Sequence, residues 1–249
     1  MLTSGGAQEI RKLGADIQTE ATRRLAEPIS QASVFDVIRW GRERIDVTLR
    51  NSPRADKTRI ACRQGCDHCC RVPMDVQAHE VLSVAAVLLE PQNSGILARA
   101  IAIADKHRKK TRGLSADARD KLEVVCPALD DESGECSVYE SRPEVCRSHH
   151  TCNWMACRDR LTDRSIPIHR YYLHPLRERL LAVMCSFDQA VANAGYDGRN
   201  YDFGSALHEA LTNDECLARW LQKLPAFPDD CVAPPPIPGG PLGGFTRGA

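Results

Sequence analysis

The stretch CRQGCDHCCR holds four cysteines within nine positions, Cys62, Cys66, Cys69 and Cys70. Cysteine thiolates bind soft or borderline cations, either zinc in a tetrahedron or iron in sulfide clusters. Both kinds of site need three or four sulfur atoms that converge on one point. A tight loop with two or three residues between cysteines can provide that convergence. The spacing therefore indicates a metal-binding site.

Most of the remaining cysteines follow within the next ninety residues, so that nine of the 12 fall between residues 62 and 157. The later members of this group are Cys126, Cys136, Cys146, Cys152 and Cys157. Outside the group, Cys185 and Cys216 are interpreted as buried apolar thiols. Cys231 lies in a Pro/Gly-rich tail and has no evident partner in the sequence.

The adjacent pair Cys69 and Cys70 limits how the first four thiols can be used. In an extended chain neighbouring side chains point to opposite sides, so one ion takes both only if the backbone turns sharply. Either the pair serves two metal centres, or one of its thiols is not a ligand. His149 and His150 follow Cys146 by about one helical turn, and a Cys/His pair at i, i+4 can chelate a metal. Whether these histidines, Cys152 or Cys157 are ligands is left open.

Length and composition indicate where such thiols would be stable. A chain of 249 residues can bury a core without disulfides, so its cysteines need another explanation. The N-terminal segment has no apolar signal sequence, and no run of apolar residues is long enough to span a membrane. We therefore expect a cytoplasmic protein with reduced thiols and no membrane association. With 33 basic and 33 acidic residues, the chain lacks the positive charge typical of nucleic-acid binding.

Apolar periodicity predicts a mainly helical chain around the cysteines. Helices are expected at 7–26, 31–50, 94–111 and 115–122, with two more after residue 169. A buried helix should follow the first cysteines, capped by Asp75 and ending before Pro91. The spacing of Ser141 and Glu144 is that of a capping box, which predicts a short helix containing Cys146. A second C-terminal helix should place Phe203, Leu207, Leu211, Leu217, Trp220 and Leu224 along one face.

Residues 126–140 break this helical pattern and predict two short strands around an acidic turn that ends in Gly134. If residues 131–134 form the turn, Cys136 lies opposite Leu129 and Cys126 lies about 10 Å farther along. Cys126 and Cys136 would then face opposite sides. This favours either two metal sites or a hairpin that is irregular at its base.

Polar residues beside the cysteines have a supporting role in this interpretation. Arg71 and Arg147 each follow a cysteine directly and could offset negative thiolate charge. His79 and Glu80, in the first turn of the buried helix, could contact the metal ligands without binding the metal. The sequence identifies no catalytic residue.

The predicted fold is mainly α, a helical domain with a small β-hairpin and a cysteine-rich metal-binding centre. Residues 1–58 are expected to be a helical extension and residues 59–160 the metal-binding core. Residues 161–224 should form C-terminal helices that pack on this core. Residues 225–249, rich in proline and glycine, are predicted to be disordered.

The two cysteine blocks resemble the CxxCxxCC or YkgJ-like cysteine-cluster family, a group of zinc- or iron-chelating domains. Its first block is matched by Cys62, Cys66, Cys69, Cys70 and Arg71. Its second block is matched by Cys126, Pro127, Leu129, Cys136, Val138, Tyr139, Arg142, Pro143, Cys146 and Arg147. The resemblance implies a bacterial cytoplasmic metal-binding protein. It also implies that the seven cysteines of these blocks hold zinc or an iron–sulfur cluster.

One alternative function comes from enzymes with a similar cysteine cluster. Flagellin lysine methylases carry such a cluster, regarded as an iron–sulfur site, and use S-adenosylmethionine. The present chain has no recognisable methyl-donor motif, such as a Gly-rich loop after a strand. Metal chelation is therefore the primary prediction, with iron–sulfur-dependent protein methylation as the alternative. A protein partner or substrate is left open.

Overall fold

Most of the helices expected from apolar periodicity are present in the computed structural model, which describes residues 4–26 and 30–235. Within these ranges the chain forms eleven α-helices, which confirms the mainly α fold. They are α1 Ser4–Ala26, α2 Gln31–Arg50, α3 Arg54–Lys57, α4 Ala78–Leu88, α5 Ser94–Thr111, α6 Ala116–Asp120, α7 Glu144–Ser148, α8 Trp154–Asp159, α9 His174–Asn193, α10 Phe203–Thr212 and α11 Glu215–Leu221. The strands are β1 Asp75–Gln77, β2 Leu129–Asp130, β3 Glu135–Cys136 and β4 Asn200–Asp202.

The long helices α1 and α2 pack against α9. Ser30 caps α2, because its hydroxyl accepts the Ser33 N–H at 3.2 Å. Gly41 of α2 lies directly against the Phe187 ring of α9, where an added Cβ would lie only 2.8 Å from the ring atoms. The small residue thus allows the two helices to approach closely.

Helix α4 is central and nearly fully buried, as predicted, with nine of its eleven residues buried. The prediction that Asp75 caps it is wrong. Strand β1 pairs antiparallel with β4, with Asp75 opposite Asp202, and this pairing keeps residues 75–77 extended. The helix therefore begins only at Ala78, with Gln77 as its N-cap. The Gln77 N–H donates to the Glu80 carboxylate at 2.7 Å.

The predicted β-hairpin is present and has the predicted register, with Leu129 opposite Cys136. Gly134 closes its turn with φ of 71°, a left-handed conformation that glycine adopts without strain. At the base of the hairpin the Leu129 N–H donates to the Cys126 carbonyl at 3.0 Å, which turns the chain before β2 begins. Of the two alternatives for the hairpin, the irregular base is present.

The second C-terminal helix is broken into α10 and α11, so the single apolar face predicted for it is not continuous. Asn213 stops α10, and its side-chain oxygen accepts the Glu215 N–H at 3.1 Å at the start of α11. The first half of the predicted face and Trp220 are buried, whereas Leu224 is 44% exposed. Leu224 follows α11 and has no core to pack against.

From Pro225 to residue 235 the chain is packed against the core, where disorder was predicted. Ala226, Phe227 and Cys231 are buried, and Val232 forms a β-bridge with Tyr201. The Ala226 N–H donates to an Asp197 carboxylate oxygen at 2.9 Å. Proline in this segment thus accompanies packing rather than disorder up to residue 235. The remaining residues of the predicted tail, 236–249, lie outside the described residues.

Residues from the N-terminal, cysteine-rich and C-terminal parts contribute to one hydrophobic core. Val34 and Ile38 of α2, Val81 of α4 and Leu180 and Phe187 of α9 are all buried in it. The domain boundaries remain predictions. No single helix in the described ranges is long and apolar enough to cross a membrane.

Candidate metal centre

The first cysteine block forms a loop that ends in a 3-10 turn over His68–Arg71. Gly65, with φ of 79°, allows the chain to reverse within the loop. The Cys70 N–H donates to the Asp67 carbonyl at 2.8 Å and closes the 3-10 turn. Cys69 and Cys70 therefore lie on a sharp turn, which is the condition under which one ion could take both thiols.

Backbone hydrogen bonds join the first block to the second. The Cys126 N–H donates to the Cys70 carbonyl at 2.8 Å, and the Val124 N–H donates to the Arg71 carbonyl at 3.1 Å. On the other side of the loop, the Ala61 N–H donates to the Thr151 carbonyl at 2.8 Å. Segments separated by more than 50 residues are thus held around the same loop.

One group of thiols gathers on the Thr151 side of this loop. Burial raises the pKa of Cys62 to about 11 and that of Cys157 to about 12, and it also raises the pKa of Cys66. Repulsion from Cys69 and Cys66 further raises the pKa of Cys62. Repulsion from Cys62, Cys69 and Cys66 likewise further raises the pKa of Cys157. Four thiols are therefore close enough to oppose each other's ionisation.

A second group gathers on the hairpin side. Burial raises the pKa of Cys126 to about 12 and that of Cys146 well above its usual value. Cys69 and Cys136 add to both shifts. Burial also raises the pKa of Cys136, although the guanidinium groups of nearby arginines oppose this effect.

Cys69 is the member that the two groups share. It influences the thiols of both groups, and a hydrogen bond with Cys70, followed by burial, raises its own pKa well above the usual value. Cys69 is nevertheless exposed as a residue, whereas Cys70 is half-buried. Cys69 thus interacts with thiols of both groups.

The thiols are near one another but are not yet arranged around a point. Among the described residues, the set of three potential ligands whose atoms all lie within 4.8 Å of one another is His79, Glu144 and Asp188, which contains no cysteine. Bound metal would have to draw the sulfur atoms closer together. Such a change is common, because metal binding and the final folding of a site are coupled.

Helix α7, which carries Cys146, is positioned by Glu80 of α4. The Glu80 carboxylate accepts the backbone N–H groups of Glu144 at 2.8 Å and Val145 at 3.3 Å, the first two residues of α7. The prediction that Ser141 and Glu144 form a capping box is wrong. Pro143 precedes the helix, and the Glu144 carboxylate faces His79 of α4 instead.

The arginines expected to offset thiolate charge donate hydrogen bonds to carboxylates and, for Arg147, also to the backbone carbonyls of Glu140 and Arg142. Arg71 donates to Asp67 at 2.8 Å and to Asp131 at 3.0 Å. Arg147 pairs with Asp46, although it also lowers the pKa of Cys136 to a small extent, after Arg142. Their main role is to fix the loop and α7.

The two histidines after Cys146 do not have the helical spacing assumed in the sequence. Helix α7 ends at Ser148, so His150 is not one turn further along the same helix. Its Nε2 accepts the Leu173 N–H, and its Nδ1 faces the Ser148 carbonyl, each at 3.3 Å. Burial lowers the pKa of His149 to about 3, and its ring packs edge-on against Tyr172.

Cys152 and Cys157 are the two thiols that the sequence left undecided, and the fold brings Cys157 to the first group. It lies on α8, whose Asn153 side chain caps the helix by accepting the Ala156 N–H at 3.3 Å. A polar residue before a short apolar stretch can indicate such a helix in the sequence. It does not predict the direction in which the cysteine of that helix points. Cys216 is buried, as interpreted, whereas Cys185 is half-buried.

The comparisons with known proteins agree with this location of the site. Residues 61–163 match the model of the CxxCxxCC family, described as a "putative zinc- or iron-chelating domain". This range contains both thiol groups, including Cys157. No curated protein and no solved structure matches the chain. The match supports metal binding through the clustered cysteines of this segment.

Proposed function

We propose that this protein chelates zinc or an iron–sulfur cluster in two adjacent thiolate centres. The observation that carries the proposal is the position of Cys69, whose thiol interacts with both groups. The first centre would use Cys62, Cys66 and Cys157, and the second Cys126, Cys136 and Cys146. The pair Cys69 and Cys70 would complete the two sets, one thiol for each.

The donor atoms fit the proposed metals. Thiolates select zinc, Cu(I) and iron–sulfur clusters, whereas magnesium and calcium prefer oxygen ligands. The nearest carboxylate of the first block, Asp67, is held by Arg71 and is therefore engaged elsewhere. A bound zinc ion would stabilise the loop, and a cluster could in addition transfer electrons. Four sulfur ligands for each centre would match either option.

The location and partners of the protein are part of the same proposal. A cytoplasmic location would keep the thiols reduced and able to bind metal. The even balance of charge supports the expectation that nucleic acid is not the ligand. A protein partner or substrate stays open. The alternative, S-adenosylmethionine-dependent methylation, has no support from the family match or from any other comparison.

Metal analysis of protein purified without oxygen tests the proposal directly. Iron, sulfide and zinc per chain should be measured together with the absorption spectrum. A brown protein that absorbs near roughly 400 nm and bleaches in air would identify an iron–sulfur cluster, and colourless protein with stoichiometric zinc a structural site. If neither preparation contains metal, the proposed function is wrong.

Single substitutions test the two-centre arrangement. Cys66→Ser and Cys126→Ser should each lower metal content and thermal stability together, because thiols of one site are folded around a shared ion. If there are two centres, Cys69→Ser and Cys70→Ser should deplete different fractions of the metal. Cys185→Ser, outside both groups, is the control and should retain full metal content. Full metal content in all four cluster variants would exclude these thiols as ligands.

A further inference from the structure

A buried group of one histidine and two carboxylates lies behind the thiol centre. His79 of α4 has its Nε2 at 3.3 Å from a Glu144 oxygen on α7 and at 3.7 Å from an Asp188 oxygen on α9. The side chains of His79 and Glu144 are fully buried, and that of Asp188 is 5% exposed. The three potential ligand atoms all lie within 4.8 Å of one another.

The group contains more acidic than basic side chains. Two buried carboxylates face one imidazole, which can supply at most one positive charge. Buried charges are costly unless they are paired or coordinate a metal. Two nearby guanidinium groups donate elsewhere, that of Arg42 to the Ser141 carbonyl at 3.0 Å and that of Arg147 to Asp46.

One carboxylate oxygen in this group also lacks a partner. Glu144 Oε2 is buried and has no hydrogen-bond partner among the residues that the structure describes. Glu80, the neighbouring buried carboxylate, differs because three backbone N–H groups donate to it. Buried polar atoms without a partner are uncommon and call for an explanation such as an ion. Glu144 is therefore the residue whose environment points most directly to a cation.

We propose that His79, Glu144 and Asp188 form a further metal site, separate from the two thiolate centres, which binds a divalent first-row transition ion. Imidazole nitrogen suits zinc and iron, and carboxylate oxygen suits manganese, so the mixed set favours Mn²⁺, Fe²⁺ or Zn²⁺. Two positive charges would neutralise both carboxylates with a neutral imidazole as the third ligand. The site differs from the thiolate centres in its harder ligands.

The proposed ion would link the metal-binding segment to the rest of the core. Its ligands come from α4, α7 and α9, and Glu144 lies two residues before Cys146. The ion would hold the start of α7 against two long buried helices. It would thereby fix the backbone that presents Cys146, in addition to the hydrogen bonds from Glu80.

Manganese binding to the full-length chain tests the proposal, because thiolate sites disfavour this hard ion. Mn²⁺ should be added without oxygen and the bound fraction measured by electron paramagnetic resonance. The wild-type chain and Cys126→Ser should each bind about one Mn²⁺, and Asp188→Asn should bind at least about tenfold more weakly. The control is Asp202→Asn, another buried aspartate beside a histidine, which should bind as the wild type does.

A second measurement keeps the test decisive if Asp188→Asn does not fold. Electron spin echo spectroscopy of Mn²⁺ bound to the wild-type chain should show coupling to one imidazole nitrogen and no sulfur ligand. Total metal after loading with Fe²⁺ or Zn²⁺ should likewise be lower in Asp188→Asn than in Asp202→Asn. If no Mn²⁺ binds, and iron or zinc content is equal in the two variants, the group is an imidazolium–carboxylate ion pair and the proposal is wrong. Metal retained in Cys126→Ser separates this outcome from a failure of the thiolate centres.

Discussion

Replacing Glu80 by glutamine tests how α4 positions the cysteine helix α7. One carboxylate oxygen of Glu80 accepts the Gln77 N–H at 2.7 Å, and the other accepts the N–H groups of Glu144 and Val145 at 2.8 and 3.3 Å. Glu80 is 1% exposed, so water cannot replace these bonds. In Glu80→Gln only one of the two positions can keep an oxygen, and the other receives an NH₂ group that cannot accept.

The size of the effect follows from this arrangement. A hydrogen bond to a charged group contributes about 1.5–3 kcal/mol, and a neutral one about 1 kcal/mol. In the better orientation the amide oxygen keeps the two bonds to α7 in weakened form, and the bond from Gln77 is lost. We therefore expect the free energy of unfolding to fall by about 3 kcal/mol. For a chain of this size, that corresponds to a melting temperature lower by about 6–12 °C.

Chemical denaturation and thermal melting of metal-loaded protein measure this change, and metal content should fall with it because Cys146 is displaced. Glu135→Gln is the matched control, since Glu135 is exposed in the hairpin beside Cys136 and has only a 3.4 Å contact with Gln64. It should change stability by less than about 0.5 kcal/mol. A loss of less than about 1 kcal/mol in Glu80→Gln would refute the role assigned to the three hydrogen bonds.

Three further outcomes are expected. Cys231→Ser should lower the free energy of unfolding by about 1–2 kcal/mol in denaturant, because the residue is only 6% exposed, and it should leave the metal content unchanged. An unaltered unfolding curve would mean that the chain around Cys231 is not packed in solution. Burial alone would raise the pKa of Asp202, but His107 and Arg119 hold it well below its usual value. This stabilisation is present above pH about 4 and is lost as the pH falls, so Asp202→Asn should be less stable at neutral pH and lose less stability between neutral and acidic pH. Burial raises the pKa of Cys62 to about 11 and that of Cys126 and Cys157 to about 12, so these thiols are protonated at neutral pH without metal. Metal binding should therefore release about one proton for each of them that coordinates, measured by calorimetry in buffers of different ionisation enthalpy; release of far fewer would argue against thiolate ligands.

The sequence alone was sufficient to predict those elements that depend on residues close together along the chain. Apolar spacing predicted the helices at 31–50 and 94–111, and the acidic turn ending in Gly134 predicted the hairpin with Cys136 opposite Leu129. A two-stranded register follows from the length of its turn, and helical faces follow from a period of 3.6 residues. The choice of metal chemistry was similarly local, because clustered cysteines can bind only a narrow class of ions.

Local patterns failed where a distant segment competes with them. Aspartate commonly caps helices, but Asp75 pairs with Asp202 on β4 and therefore lies in a strand. The segment after Pro225 has a composition typical of disorder, yet Phe227 is buried and packs against Tyr201, with ring centroids 5.0 Å apart. In both cases the free energy of long-range packing outweighs a local preference, and no short window of sequence contains that term.

The sequence by itself therefore determined the kind of centre, a thiolate-rich metal site in a helical protein with one hairpin. Only the tertiary structure decided which residues share its space. It brought Cys157 to the first thiol group, set Cys69 between the two groups and gathered His79, Glu144 and Asp188 from three helices. The physical reason is that spacing along the chain fixes only the direction of a side chain within its own element. The packing of α4, α7 and α9 against one another fixes which of those directions meet.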